Sequence, residues 1–219
     1  MLTAILCISD LMFDMNKPIE TIIFDLGGVL IDWNPAYVYH HIIPDNARRH
    51  YFFDQICTHA WNLEQDAGRP LNQAMSERIA LFPEWENEIL AYYGRWEEML
   101  GGEIGETVDV LSALRNLGKH RLLALTNWSA ETFPIALERF EFLHWFEGIV
   151  VSGVEKVRKP EPAIYETLLR RYSVEPQHAV FIDDNMDNVK GAESMGINGI
   201  HFQHAAQLKQ ALAALQVVV

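Results

Sequence analysis

The stretch Thr21-Ile22-Ile23-Phe24-Asp25-Leu26-Gly27-Gly28 decides the fold of this chain. Its first four residues are β-branched or aromatic and predict a short buried strand, which Asp25 follows directly. The two glycines allow a sharp turn and a close approach of the backbone to a ligand. A carboxylate in this place can be a nucleophile or a ligand for Mg²⁺, although a turn-capping aspartate is the commoner explanation for such a motif alone.

Further short apolar runs predict four more strands, and they alternate with helical patterns. The strands are expected at Arg121–Leu125, Gly148–Val151, Ala179–Ile182 and Ile197–Phe202. Apolar residues at helical spacing predict helices near residues 108–117, 133–140, 164–172 and 208–215. Gly118 is the expected stop of the first, Ser129 or Thr132 the cap of the second, and Pro160 and Pro162 the entry to the third. The alternation predicts a parallel sheet with right-handed crossovers.

The first two strands are separated by far more chain than one crossover needs. Asp25 and Thr126 are 101 positions apart. Residues 34–104 look helical throughout, with an apolar stripe of Trp85, Ile89, Tyr92, Trp96 and Leu100. We therefore predict an α/β fold in which residues 17–33 and 105–219 form the core and residues 34–104 form a small all-helical insert. Residues 1–16 are taken as an N-terminal extension of uncertain order.

Composition predicts a globular cytoplasmic protein. The 219 residues are 49% hydrophobic and 21% charged, with a net charge of −13 that opposes binding to nucleic acid or to an anionic membrane. No apolar run is long enough to span a bilayer. Cys7 and Cys57 could form one disulfide, but two cysteines exclude a framework of bridges, so a reducing compartment and incidental thiols are expected.

Three more short motifs follow predicted strands or precede predicted helices. Thr126-Asn127 offers a hydroxyl and backbone N–H groups, which suit phosphate oxygens or an ordinary helix cap. Lys159 precedes Pro160 and could neutralise a transferring anion or belong to a solvated basic loop. Asp183-Asp184 places two carboxylates after a buried strand, where their repulsion favours a bound cation. Ligands bind at the carboxyl ends of parallel strands, so we expect Asp25, Thr126 and Asp183 at one crevice.

These four motifs, in this order, resemble those of the haloacid dehalogenase-like hydrolase superfamily. The resemblance covers nearly all of residues 20–202 and implies a Rossmann-like core with a helical cap between the first two motifs. It implies that Asp25 is the nucleophile, that Thr126 and Asn127 hold phosphoryl oxygens beside Gly28, and that Lys159 stabilises the transferring group. It further implies that Mg²⁺ is held by Asp25, the carbonyl of Gly27, Asp183 and Asp184.

Gly27 departs from the phosphatase pattern, which usually carries a second aspartate there as general acid and base. The loss of such a group typically lowers the rate by ~10²–10⁴-fold. Another residue could supply the function, and the candidates in the sequence are Asp32, His40, His41 and His59. A leaving group good enough to need no acid, as in a sugar 1-phosphate, or a weak activity are the other outcomes.

The leading hypothesis is a Mg²⁺-dependent phosphatase that acts on a small phosphorylated metabolite. A 2-haloacid dehalogenase is an alternative, which the acidic pair Asp183-Asp184 argues against. A non-catalytic phosphate-binding or regulatory module is a second alternative, supported by Gly27. The sequence leaves the substrate, the oligomeric state and the replacement for the missing acid open.

Overall fold

A computed structural model describes residues 18–219, which form seven strands and eleven α-helices. The strands are β1 Thr21–Phe24, β2 Ile31–Trp33, β3 Leu100–Glu103, β4 Arg121–Thr126, β5 Gly148–Val151, β6 Ala179–Asp183 and β7 Asn198–His201. The helices are α1 Ala36–Ile42, α2 Asn46–Tyr51, α3 His59–Asp66, α4 Leu71–Leu81, α5 Glu86–Gly94, α6 Gly105–Leu117, α7 Phe133–Arg139, α8 Ser152–Glu155, α9 Pro162–Tyr172, α10 Met186–Ser194 and α11 Ala205–Ala214. Within residues 18–219, no helix has the length and apolar character that a membrane crossing requires.

Five parallel strands form the central sheet in the order β5-β4-β1-β6-β7, so the predicted α/β class is confirmed. In this order the chain runs outward on one side of β1 and then crosses to β6 on the other side. Phe24 pairs with Ala124 of β4 and with Ile182 of β6, which sets the carboxyl ends of the three strands side by side. The switch in direction lies between β1 and β6, where a ligand crevice is expected in such sheets.

Both faces of the sheet are buried, as parallel sheets require. Successive residues of a strand point to opposite faces, so Ile22 and Phe24 belong to one apolar cluster and Ile23 to the other. The first cluster includes the inner faces of α6 and α11, through Leu111 and Leu208. The second is covered by residues of α9 and α10. The sheet is therefore the middle layer of three.

Most of the predicted elements are present with small shifts in their ends. All five predicted strands are found, and α6 ends at Gly118, whose φ of +60° is the left-handed conformation expected of a helix stop. Pro162 is the first residue of α9. Thr132 precedes α7 but its side chain makes no capping bond, while the Ser129 hydroxyl accepts a hydrogen bond from the backbone of Glu131. The predicted extension of residues 1–16 and Cys7 lie outside the described residues, and Cys57 is a free buried thiol.

The insert of residues 34–104 contains α1 to α5, but it is not helical throughout. Leu100–Glu103 form β3, which pairs antiparallel with β2. The helical spacing of the apolar stripe does not correspond to one continuous helix: Trp85 ends a 3₁₀ turn before α5, α5 ends at Gly94, and Trp96 begins another 3₁₀ turn. All five stripe residues are nevertheless buried. The strand pair fastens the two ends of the insert together beside the sheet.

Candidate active site

The carboxyl ends of β1, β4 and β6 bring three of the predicted residues together. Asp25 follows β1, Thr126 is the last residue of β4, and Asp183 is the last residue of β6. The backbone N–H of Asp25 donates to the carbonyl of Ile182 at 2.8 Å, which continues the β1–β6 ladder up to the site. All three side chains are buried. Parallel pairing thus joins residues that are up to 158 positions apart in sequence.

Lys159 lies between two of these acids. Its ammonium is 2.9 Å from Asp25 Oδ1 and 2.7 Å from Asp183 Oδ2, and it donates to the carbonyl of Leu125 at 3.0 Å. The side chain is 1% exposed, so its charge is compensated by these partners and not by water. Burial lowers the pKa of Lys159, but the two carboxylates outweigh burial and leave it raised. The ammonium is therefore charged.

Asp183 is satisfied by neighbouring donors. Its Oδ1 accepts from the backbone N–H of Asn185 at 2.7 Å, and Asn188 Nδ2 lies 3.1 Å from both carboxylate oxygens. Lys159 takes a further position on Oδ2. Since a carboxylate has about four acceptor positions, these contacts hold Asp183 firmly in place. Asp25 and Asp184 have carboxylate oxygens with fewer hydrogen bonds than those of Asp183. Both donors to Asp25, Lys159 and the backbone N–H of Leu26, bind Oδ1, and Asp184 is exposed.

Asn127 and Gly28 take part in contacts that the sequence did not indicate. The Asn127 side chain accepts from the Lys159 backbone N–H at 2.8 Å and donates to the Lys159 carbonyl at 3.0 Å. These two hydrogen bonds fix the position of the Lys159 backbone. The backbone N–H of Gly28 donates to the carbonyl of Ile31 and is therefore not free to bind a ligand. Gly28 contributes to the site through the space that its missing side chain leaves open. Gly27, Gly28, Thr126 and Asn127 all line the same cavity as Asp25.

Asp25, Asp183 and Asp184 form a cluster suited to a divalent cation. One carboxylate oxygen from each lies within 4.8 Å of the other two. Burial raises the pKa of Asp25 above its usual range, opposed by Lys159 and helped by Asp183, and burial also raises the pKa of Asp184. One ammonium does not neutralise three acids, and a cation with oxygen preference would remove the deficit. The donor set therefore fits Mg²⁺.

Gly28 makes room for this cluster. It has a φ of +73°, and a Cβ built there would lie 2.5 Å from Oδ2 of Asp184. Any larger residue would both strain the backbone and displace that carboxylate. The glycine after the strand is thus required by the position of an acid 156 residues later in the chain.

The cavity above the cluster has a volume of about 490 Å³. Core residues form its floor, and the insert contributes His59, Asn62, Leu63, Asp66, Tyr93 and Trp96 to its walls. The walls are partly aromatic and partly polar, which suits a small organic molecule bearing an anionic group.

A family model for haloacid dehalogenase-like hydrolases matches residues 19–196, most of the chain. The protein is a haloacid dehalogenase-like hydrolase. It is 27% identical over 200 residues to a sesquiterpene phosphatase of Aspergillus oryzae, covering 85% of this chain and 91% of that protein. It is 25% identical over 186 residues to a phosphorylated carbohydrates phosphatase of Thermotoga maritima, covering 83% and 84% of the two chains.

A solved structure with the same fold is that of a haloacid dehalogenase family enzyme of Bacteroides thetaiotaomicron. Its TM-score is 0.70 at 20% identity, and the match covers 90% of this chain and 99% of that one. A magnesium complex of the same enzyme matches with a TM-score of 0.67 at 22% identity. These likenesses agree with the α/β architecture described above.

Asp66 of this hydrolase also lines the cavity, although it was not among the predicted site residues. The predicted replacements for an acid at Gly27 are Asp32, His40, His41 and His59. Within residues 18–219, His59 is the one of these four that lines the cavity. Asp32 accepts a hydrogen bond from Tyr37, and His40 borders a separate depression near Arg49. The available signal was the spacing of His59, Asn62 and Asp66, which places them on one face of a helix.

Proposed function

We propose that this hydrolase is a Mg²⁺-dependent phosphatase that acts on a small phosphorylated metabolite, with sugar phosphates as the first class to test. The observation that carries the proposal is the convergence of Asp25, Asp183 and Asp184 around Lys159 on the floor of one cavity. Three acids and a lysine at this point suit a phosphoryl group held with a divalent cation.

The relatives support the same chemistry. Two of them, described above, are named as phosphatases, one for phosphorylated carbohydrates. A glyceraldehyde 3-phosphate phosphatase of Pyrococcus abyssi is 28% identical over 124 residues, and the match covers about half of each chain. The Bacteroides enzyme has been crystallised with magnesium and inorganic phosphate. A free, buried Cys57 is compatible with action in the reducing cytoplasm.

The reaction would begin with Asp25. Both of its donors bind Oδ1, so Oδ2 is the oxygen proposed to attack phosphorus and form an aspartyl-phosphate. Lys159 would neutralise charge on the transferring phosphoryl group, and Thr126 and Asn127 would hold its oxygens. Asn127 also fixes the Lys159 backbone, so the ammonium is already in position before the substrate binds.

Mg²⁺ would be held by Asp25, the carbonyl of Gly27 and Asp184, with help from Asp183, whose oxygens already accept from Lys159, Asn185 and Asn188. When bound it would neutralise phosphoryl oxygens and keep Asp25 ionised, which a nucleophile with a raised pKa needs. We further propose that residues 17–33 and 105–219 act as the catalytic core, and that residues 34–104 act as a cap. Support for the cap comes from the cavity walls, to which the insert contributes six residues.

The test combines a substrate panel with one substitution. Hydrolysis of p-nitrophenyl phosphate and of a set of phosphorylated metabolites is measured with Mg²⁺ and with EDTA, alongside halide release from 2-haloacids. Asp25→Asn is compared with Asp109→Asn, which removes the same charge from an exposed position on α6. We expect phosphate release that needs Mg²⁺, disappears in Asp25→Asn and persists in Asp109→Asn.

Two results would overturn the proposal. Halide release that is insensitive to EDTA would assign the chain to dehalogenase chemistry. If no ester is turned over, or if Asp25→Asn retains the wild-type rate while phosphate still binds, the site is a non-catalytic phosphate-binding or regulatory module.

A further inference from the structure

Breaking a phosphate ester requires a proton for the leaving oxygen, unless that oxygen leaves as a stable anion. Gly27 has no side chain that could donate a proton. The Lys159 ammonium is paired with two carboxylates, and the oxygens of Asp183 already accept hydrogen bonds from neighbouring donors. The acid must therefore be another residue of the cavity lining. Two acids in the lining have no part in the acidic cluster: Asp187, which is exposed in the first turn of α10, and Asp66, which is half-buried at the carboxyl end of α3. Asp66 has the surroundings that a proton donor needs.

We propose that Asp66 is the general acid and base of this enzyme, delivering a proton to the leaving group and then taking one from water. The inference rests on the proposed phosphatase function and assigns to the insert a chemical step in addition to enclosing the substrate. Beside its place in the cavity lining, two features of the structure support it: the anchoring of Asp66 and its electrostatic surroundings.

Asp66 is anchored to the core although it belongs to the insert. Its backbone carbonyl accepts a hydrogen bond from the hydroxyl of Ser152, and the backbone N–H of Ser129 is close enough to favour its ionised carboxylate. Asn62 Nδ2, one turn earlier on α3, lies 3.2 Å from Asp66 Oδ2. These contacts hold the carboxyl group at a defined place relative to the strand ends.

The chain after Asp66 reinforces this placement. A Cβ at Gly68 would lie 2.9 Å from the carbonyl of Gly153, so the backbone lies directly against α8. The backbone N–H of Leu71 donates to Glu131 at 2.8 Å. The junction is therefore one of the close contacts between the insert and the core, and proton transfer needs such fixed geometry.

The surroundings allow Asp66 to exist both with and without its proton near neutral pH. Burial raises its pKa to about 7, opposed by Arg158, by the Ser129 N–H and by Lys159. The end of α3 adds partial negative charge, which also disfavours the ionised form. Tyr92 and Tyr93 on α5 are further titratable groups that interact with it, and His59, seven residues earlier on α3, lines the same cavity. A group that must donate and then accept a proton works best in this range.

The two steps balance with Asp66 as the only proton carrier. In the first, Asp25 Oδ2 forms a bond to phosphorus, the bond from phosphorus to the leaving oxygen breaks, and that oxygen takes the proton of the Asp66 carboxylic acid. In the second, water attacks phosphorus and gives a proton to the Asp66 carboxylate while the Asp25–phosphorus linkage breaks. Phosphate is released, and both aspartates return to their starting states.

The alternative is that Asp66 only fastens α3 to the core. The test separates the two with three aryl phosphates of similar shape whose leaving groups differ in acidity: 2,4-dinitrophenyl, p-nitrophenyl and phenyl phosphate. Asp66→Asn keeps the size of the side chain and an acceptor for the Ser129 N–H. Glu64→Gln, an exposed change on the same helix, is the matched control.

We expect Asp66→Asn to lower kcat/KM for phenyl phosphate by ~10²–10⁴-fold and for 2,4-dinitrophenyl phosphate by less than about tenfold. With the activated ester, the aspartyl-phosphate should accumulate, seen as a burst of 2,4-dinitrophenol close to one per site. In the wild type, kcat/KM for phenyl phosphate should fall as pH rises through the ionisation of Asp66, and this limb should be missing in Asp66→Asn. Glu64→Gln should match the wild type throughout.

Equal losses for all three esters, or none, would overturn the assignment and leave Asp66 a structural residue. The same leaving-group pattern from His59→Gln and not from Asp66→Asn would transfer the role to His59. If Asp66→Asn does not fold, Asp66→Glu decides, because moving the acid must still change the ratio between phenyl and dinitrophenyl esters. A wild type that hydrolyses none of the three esters contradicts the phosphatase proposal itself, whereas an active wild type with an unchanged Asp66→Asn contradicts only this inference.

Discussion

Replacing Gly28 by alanine tests whether the turn after β1 exists to accommodate the acidic cluster. The new Cβ would lie 2.5 Å from Asp184 Oδ2, and ordinary contact begins at 3.4 Å. The carboxylate oxygen must therefore move by about 0.9 Å, whereas Mg²⁺ requires its ligands within ~0.2 Å of about 2.1 Å. The left-handed φ of +73° adds a cost of about 1–2 kcal/mol to the folded state.

Gly118→Ala is the matched control for the backbone term. Gly118 has a φ of +60°, and among the described residues no atom lies within 4 Å of a Cβ built there. We expect both variants to lose about 1–2 kcal/mol of unfolding free energy from the backbone, a fall in Tm of about 2–8 °C for a chain of this size. We expect Gly28→Ala alone to bind Mg²⁺ at least about tenfold more weakly, which corresponds to about 1.4 kcal/mol.

The assay is calorimetric titration of Mg²⁺ into each folded variant, with thermal unfolding measured in EDTA. The reasoning is refuted if Gly28→Ala takes up Mg²⁺ as tightly as the wild type while Gly118→Ala shows the expected loss of stability. In that case the Asp184 carboxylate is not constrained by the space that Gly28 leaves open.

Three further predictions concern the residues around the cluster. Lys159→Met leaves Asp25 and Asp183 buried without their cation and should lower the free energy of unfolding, measured with urea in EDTA, by about 3–5 kcal/mol. An unchanged urea midpoint would contradict the ion-pair argument. Asn127→Ala removes two hydrogen bonds to Lys159 and should lower turnover and also the free energy of unfolding, by about 1–3 kcal/mol. Asn198→Ala removes two hydrogen bonds away from the cavity, to the carbonyls of Gln177 and Ala179, and should lower the free energy of unfolding alone. The pKa of Asp66 is raised from 3.8 to about 7 on folding, so its contribution to stability is present below pH 4 and is lost as pH rises to 7. At pH 8 the free energy of unfolding of Asp66→Asn, measured by urea unfolding, should therefore exceed that of the wild type by up to about 4 kcal/mol. This difference should close toward pH 4, and a difference independent of pH would show that the carboxyl group is not buried.

Local patterns in the sequence were enough to predict the central sheet and the site residues at the carboxyl ends of its strands. A run of β-branched and aromatic residues such as Thr21–Phe24 predicts a strand that is buried on both faces of a parallel sheet. In the structure its successive side chains enter the two apolar clusters on opposite faces. The rule that ligands bind at the carboxyl ends of parallel strands then placed Asp25, Thr126 and Asp183 together. The secondary structure of the insert was harder to predict, because its apolar stripe continues through Trp96 and Leu100 although α5 ends at Gly94. Pairing of Leu100–Glu103 with Ile31–Trp33 overrides the helical spacing there, and such pairing is not visible in either segment alone.

The sequence by itself determined the α/β class, the order of the four motifs and the family, because these depend on residue type and spacing along the chain. Only the tertiary structure decided that Asn127 holds the backbone of Lys159, that Gly28 makes room for Asp184, and that Asp66 reaches the cavity from the insert. The contacts behind them join residues at least 32 positions apart: Asn127 with Lys159, Gly28 with Asp184, and Asp66 with Ser152. Their chemistry depends on distance and burial, which arise only when the strands pair and the insert packs against the sheet.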